Sequence, residues 1–322
     1  MSRNLRLIFF LVGATVVALM VFHFGPGALW AALSSSLWVI LALIPLWAAV
    51  YVCNAKAWQL LTSEGGEPIP LPRAFLMTIV TFAVNYSTPL ASFGGEPLKV
   101  VAATKALGRR RAVGSVVAFR LLHALAHVLA WLFALVPAFI ILPKTPLIIG
   151  GTVVLGLLLG GATVFLFSRH REGLAMHLLR TLRRLPLLRR LAVKLEPKVE
   201  ALHEIDQHCT AVYKSAPRRF YAALAFEMVG RILALAEYWV ILWGMGLGVD
   251  PLRAFVVGSF SSLVVNILIF MPFELGSKEV ALYFMFDWLG ITPALALAAA
   301  ALSRIRELIW IAIGWALIWT MD

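Results

Sequence analysis

The chain has 322 residues, of which 61% are hydrophobic and 14% are charged, and its mean hydropathy is +0.91. Soluble domains are about half apolar and about one quarter charged, so this composition excludes an ordinary soluble protein and indicates a polytopic membrane protein. The net charge of +12 comes without any nucleic-acid-binding motif. We therefore expect the basic residues to face anionic lipid or an anionic substrate rather than nucleic acid.

The chain begins with a basic segment and an apolar run, residues 5–24, that is about long enough to span a bilayer. The FHFGPG sequence that follows has no A-x-A cleavage pattern, so we interpret the run as a retained transmembrane helix rather than a signal peptide. Residues 1–36 form the predicted N-terminal unit.

Full spans need about 20 mostly apolar residues, and six stretches meet this requirement. They are residues 5–24, 37–61, 112–142, 146–168, 219–245 and 293–320. Shorter apolar segments occur in two pairs, each interrupted by a break that contains glycine and proline: 74–88 with 97–107, and 254–271 with 279–289. The predicted fold is an all-α polytopic membrane protein with six transmembrane helices and two re-entrant helical hairpins, 74–107 and 254–289.

The distribution of basic residues predicts the orientation of these segments. Arg3 and Arg6 place the N-terminus in the cytoplasm, and the strongly basic segment 169–218 is the best cytoplasmic marker. The basic cluster between Lys99 and Arg111 would lie outside if 74–88 crossed the membrane completely, whereas a hairpin returns it to the cytoplasmic face. The same reasoning places the C-terminus in the cytoplasm. We expect the protein to lie in a bacterial-type inner (plasma) membrane.

The two hairpin regions match each other in sequence. The tripeptide RAF at 73–75 recurs at 253–255, and Arg120 corresponds to Arg304. An odd number of predicted spans separates the hairpins, so the two repeats would have inverted topology, which is typical of transporters whose broken helices meet near the membrane midplane. The predicted organisation is repeat 1 (37–142), a connecting span (146–168), a basic amphipathic cytoplasmic segment (169–218) and repeat 2 (219–320).

The hairpin tips carry polar residues whose burial in a bilayer requires an explanation, since a charge at that depth costs at least about 2.5 kcal/mol. Glycines permit a tight turn with bare N–H groups, and the N-terminus of the returning helix attracts an anion. For Glu96, a helix-capping charge and a substrate or proton role are equally open. The candidates are Asn85, Gly94, Gly95, Glu96 and Lys99 in the first tip, and Glu274, Lys278 and Glu279 in the second. A structural turn exposed at the outer face is the alternative for the second tip.

Arg120 and Arg304 are the candidate phosphate ligands, because a guanidinium matches phosphate oxygens and stays charged. Arg120, His123 and His127 share one helix face, as a polar cavity would require. The alternatives are an ion pair between Arg304 and Glu307, and histidines that serve packing rather than proton transfer.

Several kinds of chemistry have no motif here. The sequence contains no G-x-x-x-x-G-K-[ST], H-E-x-x-H or G-x-S-x-G, which argues against ATP hydrolysis and against two common types of hydrolase. Cys53 and Cys209 suggest neither a disulfide framework nor a metal cluster, so we expect no cofactor and no metal.

Three motifs carry a family resemblance: NYSTPLASFGGEPLKV, VVAFRLLHALAH with Arg120, and MPFELGSKE followed by Gly290 and Arg304. From about residue 40 to 320, the chain resembles the flippase-like transmembrane family that occurs as the membrane region of lysylphosphatidylglycerol synthases and as stand-alone proteins. The third motif departs from the family, because Glu274 and Ser277 stand where small, glycine-rich residues are common.

The resemblance implies translocation of a lipid with a charged or glycosylated head group between leaflets. Stand-alone relatives are associated with aminoacylated phospholipids, polyprenyl-phosphate sugars or hopanoid lipids. No aminoacyl-transferase domain follows residue 322, so we do not expect this chain to synthesise lipid.

We therefore expect a flippase or scramblase that is not an enzyme and hydrolyses no ATP. Its partner would be a membrane lipid with an anionic or phosphate-containing head group, with a lipid synthase or glycosyltransferase as a possible protein partner. Two alternatives stay open. One is a membrane enzyme that transfers a group to or from a lipid with Glu96 or His123 as the base, and the other is a membrane subunit that recruits a synthase through residues 169–215.

Overall fold

The computed structural model describes residues 26–63, 66–87, 94–172, 216–269 and 274–318, with isolated positions at 18, 19, 22, 199, 207, 214 and 271. Within these ranges the chain forms ten helices and no strand. The helices are α1 (Pro26–Ser36), α2 (Val39–Thr62), α3 (Leu71–Ser87), α4 (Gly95–Leu107), α5 (Arg109–Ile141), α6 (Pro146–Glu172), α7 (Pro217–Gly244), α8 (Pro251–Ile267), α9 (Ser277–Trp288) and α10 (Leu295–Leu317).

Some predicted features lie outside the described residues. These are most of the first predicted span, 5–24, most of the basic segment 169–218, and the centres of both hairpin tips at 88–93 and 272–273. The short helix α1, which falls in the predicted N-terminal unit, was not foreseen as a separate element.

Three helices are long and apolar enough to cross a bilayer: α2, α5 and residues Pro146–Ser168 of α6. They correspond to the predicted spans 37–61, 112–142 and 146–168. Helices α7 and α10 contain 28 and 23 residues and are also long enough, but each carries several charged side chains. The protein is thus an α-helical integral membrane protein in which two long helices bear charges that the fold must compensate.

The four short helices fall where paired half-helices were predicted. Helix α3 packs against α4, and α8 packs against α9. In the first pair the N–H of Gly95 donates to the Asn85 side chain at 2.7 Å, which ties the start of α4 to the end of α3. A methyl group at Gly95 would overlap the carbonyl oxygen of Thr81, so only glycine permits this close approach. Re-entry of the two pairs from opposite membrane faces stays a prediction.

Local sequence explains where several helices begin. Gly108 adopts φ 75°, which ends α4 and lets α5 start immediately with its three arginines, Arg109 to Arg111. Asp250 accepts a hydrogen bond from the N–H of Arg253 at 3.0 Å and caps α8, whose first residue is Pro251. Glu279 accepts from the N–H of Gly276 at 2.9 Å and fixes the start of α9.

The helix contacts of the two halves correspond pair by pair. If α2 to α5 are equated with α7 to α10, then α3 packs on α10 as α8 packs on α5, and the contacts α2–α3, α3–α4 and α4–α5 recur as α7–α8, α8–α9 and α9–α10. Helices α1 and α6 extend the correspondence, because α1 packs on α10 and α6 packs on α5. We call α1–α5 the first half and α6–α10 the second half. A duplicated fold produces this pattern.

The apolar core has two main parts, one at each end of the central α2–α7 pair. One part packs Trp58 and Leu61 of α2 against α3, α4 and α5, and the other packs Leu43 of α2 against Phe286 of α9 and the neighbouring α8 and α10. Helix α6 contributes little to either part and exposes apolar side chains such as Leu157, as a lipid-facing helix does. The middle of the bundle, between the two core regions, contains the polar residues described below.

The contact between α3 and α10 provides a test of this packing. A Cβ atom at Gly314 would lie 2.5 Å from the Cβ of Ala83 and 2.9 Å from the carbonyl oxygen of Ile79, whereas a Cβ at Gly161 of α6 would meet nothing within 4 Å. We predict that Gly314→Ala lowers the free energy of unfolding in detergent by about 1–3 kcal/mol through overpacking. Gly161→Ala is the matched control and should be neutral or slightly stabilising. Equal stability of the two variants would contradict the described α3–α10 contact.

Candidate functional site

A cavity of about 760 Å³ lies between the two pairs of short helices and the long helices α2, α5, α7 and α10. This volume is in the range of sites that bind small molecules, about 300–1,000 Å³. The predicted site residues that line it are Asn85, Glu96, Lys99, Arg120, His123, Glu274 and Lys278. The other predicted site residues, Gly94, Gly95, Glu279 and Arg304, lie outside its lining. The structure therefore places most of the candidates from both predicted hairpin regions around one cavity.

Lys99 is the most unusual of these side chains. It is 1% exposed, and its Nζ lies 4.1 Å from the centre of the Trp58 ring and 4.3 Å from the centre of the Phe119 ring. Aromatic faces attract an ammonium group but do not neutralise its charge. No carboxylate of the described residues forms an ion pair with it, so Lys99 brings a buried positive charge to the cavity.

Two arginines stand near Lys99. Arg120 Nη1 lies 3.5 Å from Glu96 Oε1, which links α5 to the first turn of α4, and its side chain is 29% exposed. Arg231 of α7 lines the same region, with Nη2 3.5 Å from Nε2 of His123. We call Lys99, Arg120 and Arg231 the cationic wall. These three basic side chains line one side of the cavity.

A chain of titratable groups adjoins the cationic wall. Nδ1 of His123 lies 2.6 Å from Oε2 of Glu227, and Nε2 of His123 lies 3.3 Å from Nε2 of His127. Both imidazoles line the cavity with Arg120, as the spacing in the sequence predicted, while Glu227 of α7 is 1% exposed. A carboxylate in its ionised form only accepts hydrogen bonds, so the contact with Oε2 of Glu227 is consistent with donation from Nδ1 of His123.

The opposite side of the cavity consists of paired charges. Lys278 binds Glu307 at 2.5 Å and Glu274 at 3.1 Å. Arg306 is 2% exposed and donates from Nη2 to both carboxylate oxygens of Glu237, at 2.8 and 2.9 Å. We call these five residues the ion-pair network. Within it each cation has at least one carboxylate partner, unlike Lys99.

An aromatic side chain, Trp47, packs against the ion-pair network. The Trp47 ring lies under the Arg306 guanidinium at 3.7 Å, and its indole N–H donates to Glu237 at 3.0 Å. Trp47 belongs to α2 and Glu237 to α7, so this contact also joins the two central helices.

Arg304, a predicted phosphate ligand, has another role in the structure. Its Nε and Nη2 bind Oε1 of Glu279 at 2.9 and 2.7 Å, and Nη2 also donates to the carbonyl oxygen of Glu274 at 3.1 Å. Arg304 thus ties α10 to the start of α9 and holds Glu274, whose φ of 56° is in the left-handed region that favours glycine. The alternative ion pair between Arg304 and Glu307 is replaced by Arg304–Glu279 and Lys278–Glu307.

The sequence analysis did not assign several residues that line the cavity to the site. The main ones are Trp47, Tyr51, Arg231, Glu237, Arg306 and Glu307. The charged members carried a usable signal, because each is an ionisable residue inside a long apolar helix. Trp47 and Tyr51 carried none, since aromatic residues are common in such helices. Among the described residues, no set of three or more His, Cys, Asp or Glu side chains is arranged to hold a metal ion.

The pair between Arg306 and Glu237 can be tested by a double-mutant cycle. Removing one partner of a buried ion pair leaves an uncompensated charge and costs about 3–5 kcal/mol. We predict a loss of this size in the free energy of unfolding for Arg306→Met, and a smaller loss for Arg306→Met combined with Glu237→Gln. The measurement is denaturant unfolding of each variant in detergent. If the double variant loses the sum of the two single losses, the pair contributes no coupling energy and the prediction is wrong.

One comparison with known proteins relates the whole chain to a family. The family described as the lysylphosphatidylglycerol synthase TM region matches residues 6–314. No curated protein and no solved structure matches the chain significantly. The match covers nearly all of the described helices, including both short-helix pairs and the cavity between them. The chain belongs to the family of lysylphosphatidylglycerol synthase transmembrane regions.

Proposed function

We propose that the protein moves a lipid with a charged or glycosylated head group between the leaflets of its membrane, as a flippase or scramblase that hydrolyses no ATP. The observation that carries this proposal is the cationic wall of the cavity, above all the buried charge of Lys99, which has no carboxylate partner in the part of the chain that the structure describes. A buried cation is costly unless an anion compensates it. The phosphate or other anionic group of a lipid would supply that compensation.

The size and lining of the cavity suit a head group rather than a whole lipid. A volume of about 760 Å³ accommodates a polar group of the size that small-molecule sites enclose. The acyl chains would stay in the hydrocarbon of the bilayer, so moving them between leaflets would not expose them to water. Asn85 and Glu274 add polar groups that could bond to a sugar or an amine. In this proposal the protein breaks no covalent bond of the lipid.

The transport path we propose uses the full predicted topology. Six membrane spans and two hairpins that enter from opposite faces would surround the cavity at mid-depth, and rocking of one half against the other would open it to each leaflet in turn. The pairwise correspondence of helix contacts supports such a two-fold arrangement. We further propose a bacterial-type inner membrane with both termini in the cytoplasm, and a lipid synthase or glycosyltransferase as the source of the substrate.

The proposal can be tested in liposomes with tail-labelled lipids of several head-group classes, read by quenching of the outer leaflet. We predict that Arg120→Gln slows translocation of an anionic lipid at least about tenfold, since loss of a charge-assisted hydrogen bond costs about 1.5–3 kcal/mol. Arg120→Lys keeps the charge but not the bidentate geometry, so its translocation rate should lie between those of the wild type and Arg120→Gln. Arg253→Gln removes an exposed arginine that pairs with Asp250 outside the cavity and should transport like the wild type.

Two results would count against the proposal. Unchanged leaflet distribution for every lipid class, with protein that elutes as a folded species, would remove the transport function. Transport by Arg120→Gln at the wild-type rate would remove the cationic wall as the head-group site. Lipid recovered after the assay should keep its mass, whereas a new lipid species on addition of a donor would favour the transferase with Glu96 or His123 as the base.

A further inference from the structure

We infer that Glu227, His123 and His127 form a proton-binding site, and that a proton moves together with the anionic head group. This inference rests on the proposed lipid transport and gives that transport an energy source. The three side chains lie in a row, from the buried carboxylate on α7 through His123 to His127 beside the cavity. Histidine is the side chain that ordinarily changes charge between about pH 5 and 8.

The hydrogen-bond geometry identifies the nitrogen atom that is left to take up a proton. With Glu227 ionised, His123 donates from Nδ1, so its Nε2 is an acceptor. Two groups face this atom: Nε2 of His127 at 3.3 Å and the donor Nη2 of Arg231 at 3.5 Å. In the arrangement that we infer, the Nε2–H of His127 donates to it. Nδ1 of His127 is then the vacant acceptor, and it has no hydrogen-bond partner among the described residues. A proton taken up at this atom lets His127 pass its Nε2 proton to Nε2 of His123. The result is an imidazolium at His123, beside the Glu227 carboxylate, and a neutral His127.

The charged groups around His123 make this uptake favourable for anion binding. They are Glu96 and Lys99 on α4, Arg120 on α5, and Glu227 and Arg231 on α7, with the thiol of Cys53 on α2. Helix α8 faces the region with Ser262 and other uncharged side chains, and α6 has no ionisable residue before Arg169. The cationic wall therefore exceeds the two carboxylates by one charge, and a proton on His123 raises this excess. Proton and anion each strengthen the binding of the other.

The same site can link proton occupancy to movement of the two halves. His123 lies on α5 of the first half and Glu227 lies on α7 of the second half, so the bond between them crosses the interface that rocking would disturb. The corresponding position to His123 in the second half is Glu307, which Lys278 and Arg306 hold in ion pairs. The titratable histidine thus occurs at this position in the first half, whereas the corresponding position in the second half carries a carboxylate.

The test uses wild-type proteoliposomes with a tail-labelled anionic lipid, with and without a pH gradient between about pH 6 and about pH 7.5. We expect the lipid to accumulate in the leaflet that faces the more alkaline side, and its movement to acidify that compartment, as read by a trapped pH dye. Glu227→Gln keeps a hydrogen-bond acceptor for His123 but cannot stabilise the imidazolium, so the response to the gradient should fall at least about tenfold. The matched control is Glu67→Gln, which changes an exposed residue in the α2–α3 connection and should keep the full response.

A second measurement does not depend on transport. Infrared difference spectra of the detergent-purified protein between about pH 5.5 and pH 8 should show histidine bands that Glu227→Gln and His123→Gln shift or remove and Glu67→Gln keeps. Wild-type lipid movement that ignores the gradient would overturn proton coupling and leave lipid transport intact. Absence of lipid movement would overturn the proposed function, and coupling with it. Spectra that are the same in all variants would overturn the proton site itself.

Discussion

The cost of placing charge inside a membrane governs this structure. Two of the long helices, α7 and α10, carry acidic and basic residues in their interiors, and the fold is arranged so that most of these find an opposite charge on another helix. Glu237 meets Arg306, and Glu307 meets Lys278. Where a buried cation is left with aromatic neighbours alone, at Lys99, the compensation has to come from elsewhere. The lack of a carboxylate partner for Lys99 among the described residues is the reason we propose this part of the cavity as the binding site.

The two sides of the cavity differ in how their charged side chains are paired. On the ion-pair network side, short bidentate contacts hold α7, α9 and α10 in one arrangement, and Trp47 adds α2 to it. On the side of the cationic wall, contacts are longer: Arg120 reaches Glu96 at 3.5 Å, and Arg231 reaches His123 at 3.5 Å. Helices in corresponding positions of the two halves therefore carry different charged side chains and contacts.

The positions of many helices could be predicted from the sequence, because apolar segments and the glycine- and proline-containing interruptions between them determine local structure. The predicted segment 74–88 becomes α3, Leu71–Ser87, and 97–107 becomes α4, which starts two residues earlier at Gly95, whose N–H donates to the Asn85 side chain. The stripe formed by Arg120, His123 and His127 lies along the cavity, since helical spacing alone places these residues on one face.

The partners of the charges could not be predicted in the same way. Arg304 and Glu307 are three residues apart on α10, which favours a pair within the helix, yet each binds a residue of α9 instead. The choice depends on how α9 packs on α10, and no pattern within α10 contains that information. Trp47 could not be predicted as a site residue for the same reason. Its contact is with Arg306, which is distant in the sequence.

Helix α7 connects these observations, because its two buried carboxylates join the halves in different ways. Glu237 is held by Arg306, which stays charged at any physiological pH, and by the indole of Trp47 on α2. Glu227, ten residues or about 15 Å earlier along the helix, is held by His123, whose charge depends on a proton. The contact between Glu237 and Arg306 does not depend on a proton, whereas the contact between Glu227 and His123 does. A proton at His123 would therefore change the contact near one end of α7, while the contact near the other end persists. The two contacts of α7 therefore differ in their dependence on pH, and under the proton coupling that we infer only the contact between His123 and Glu227 changes its charge.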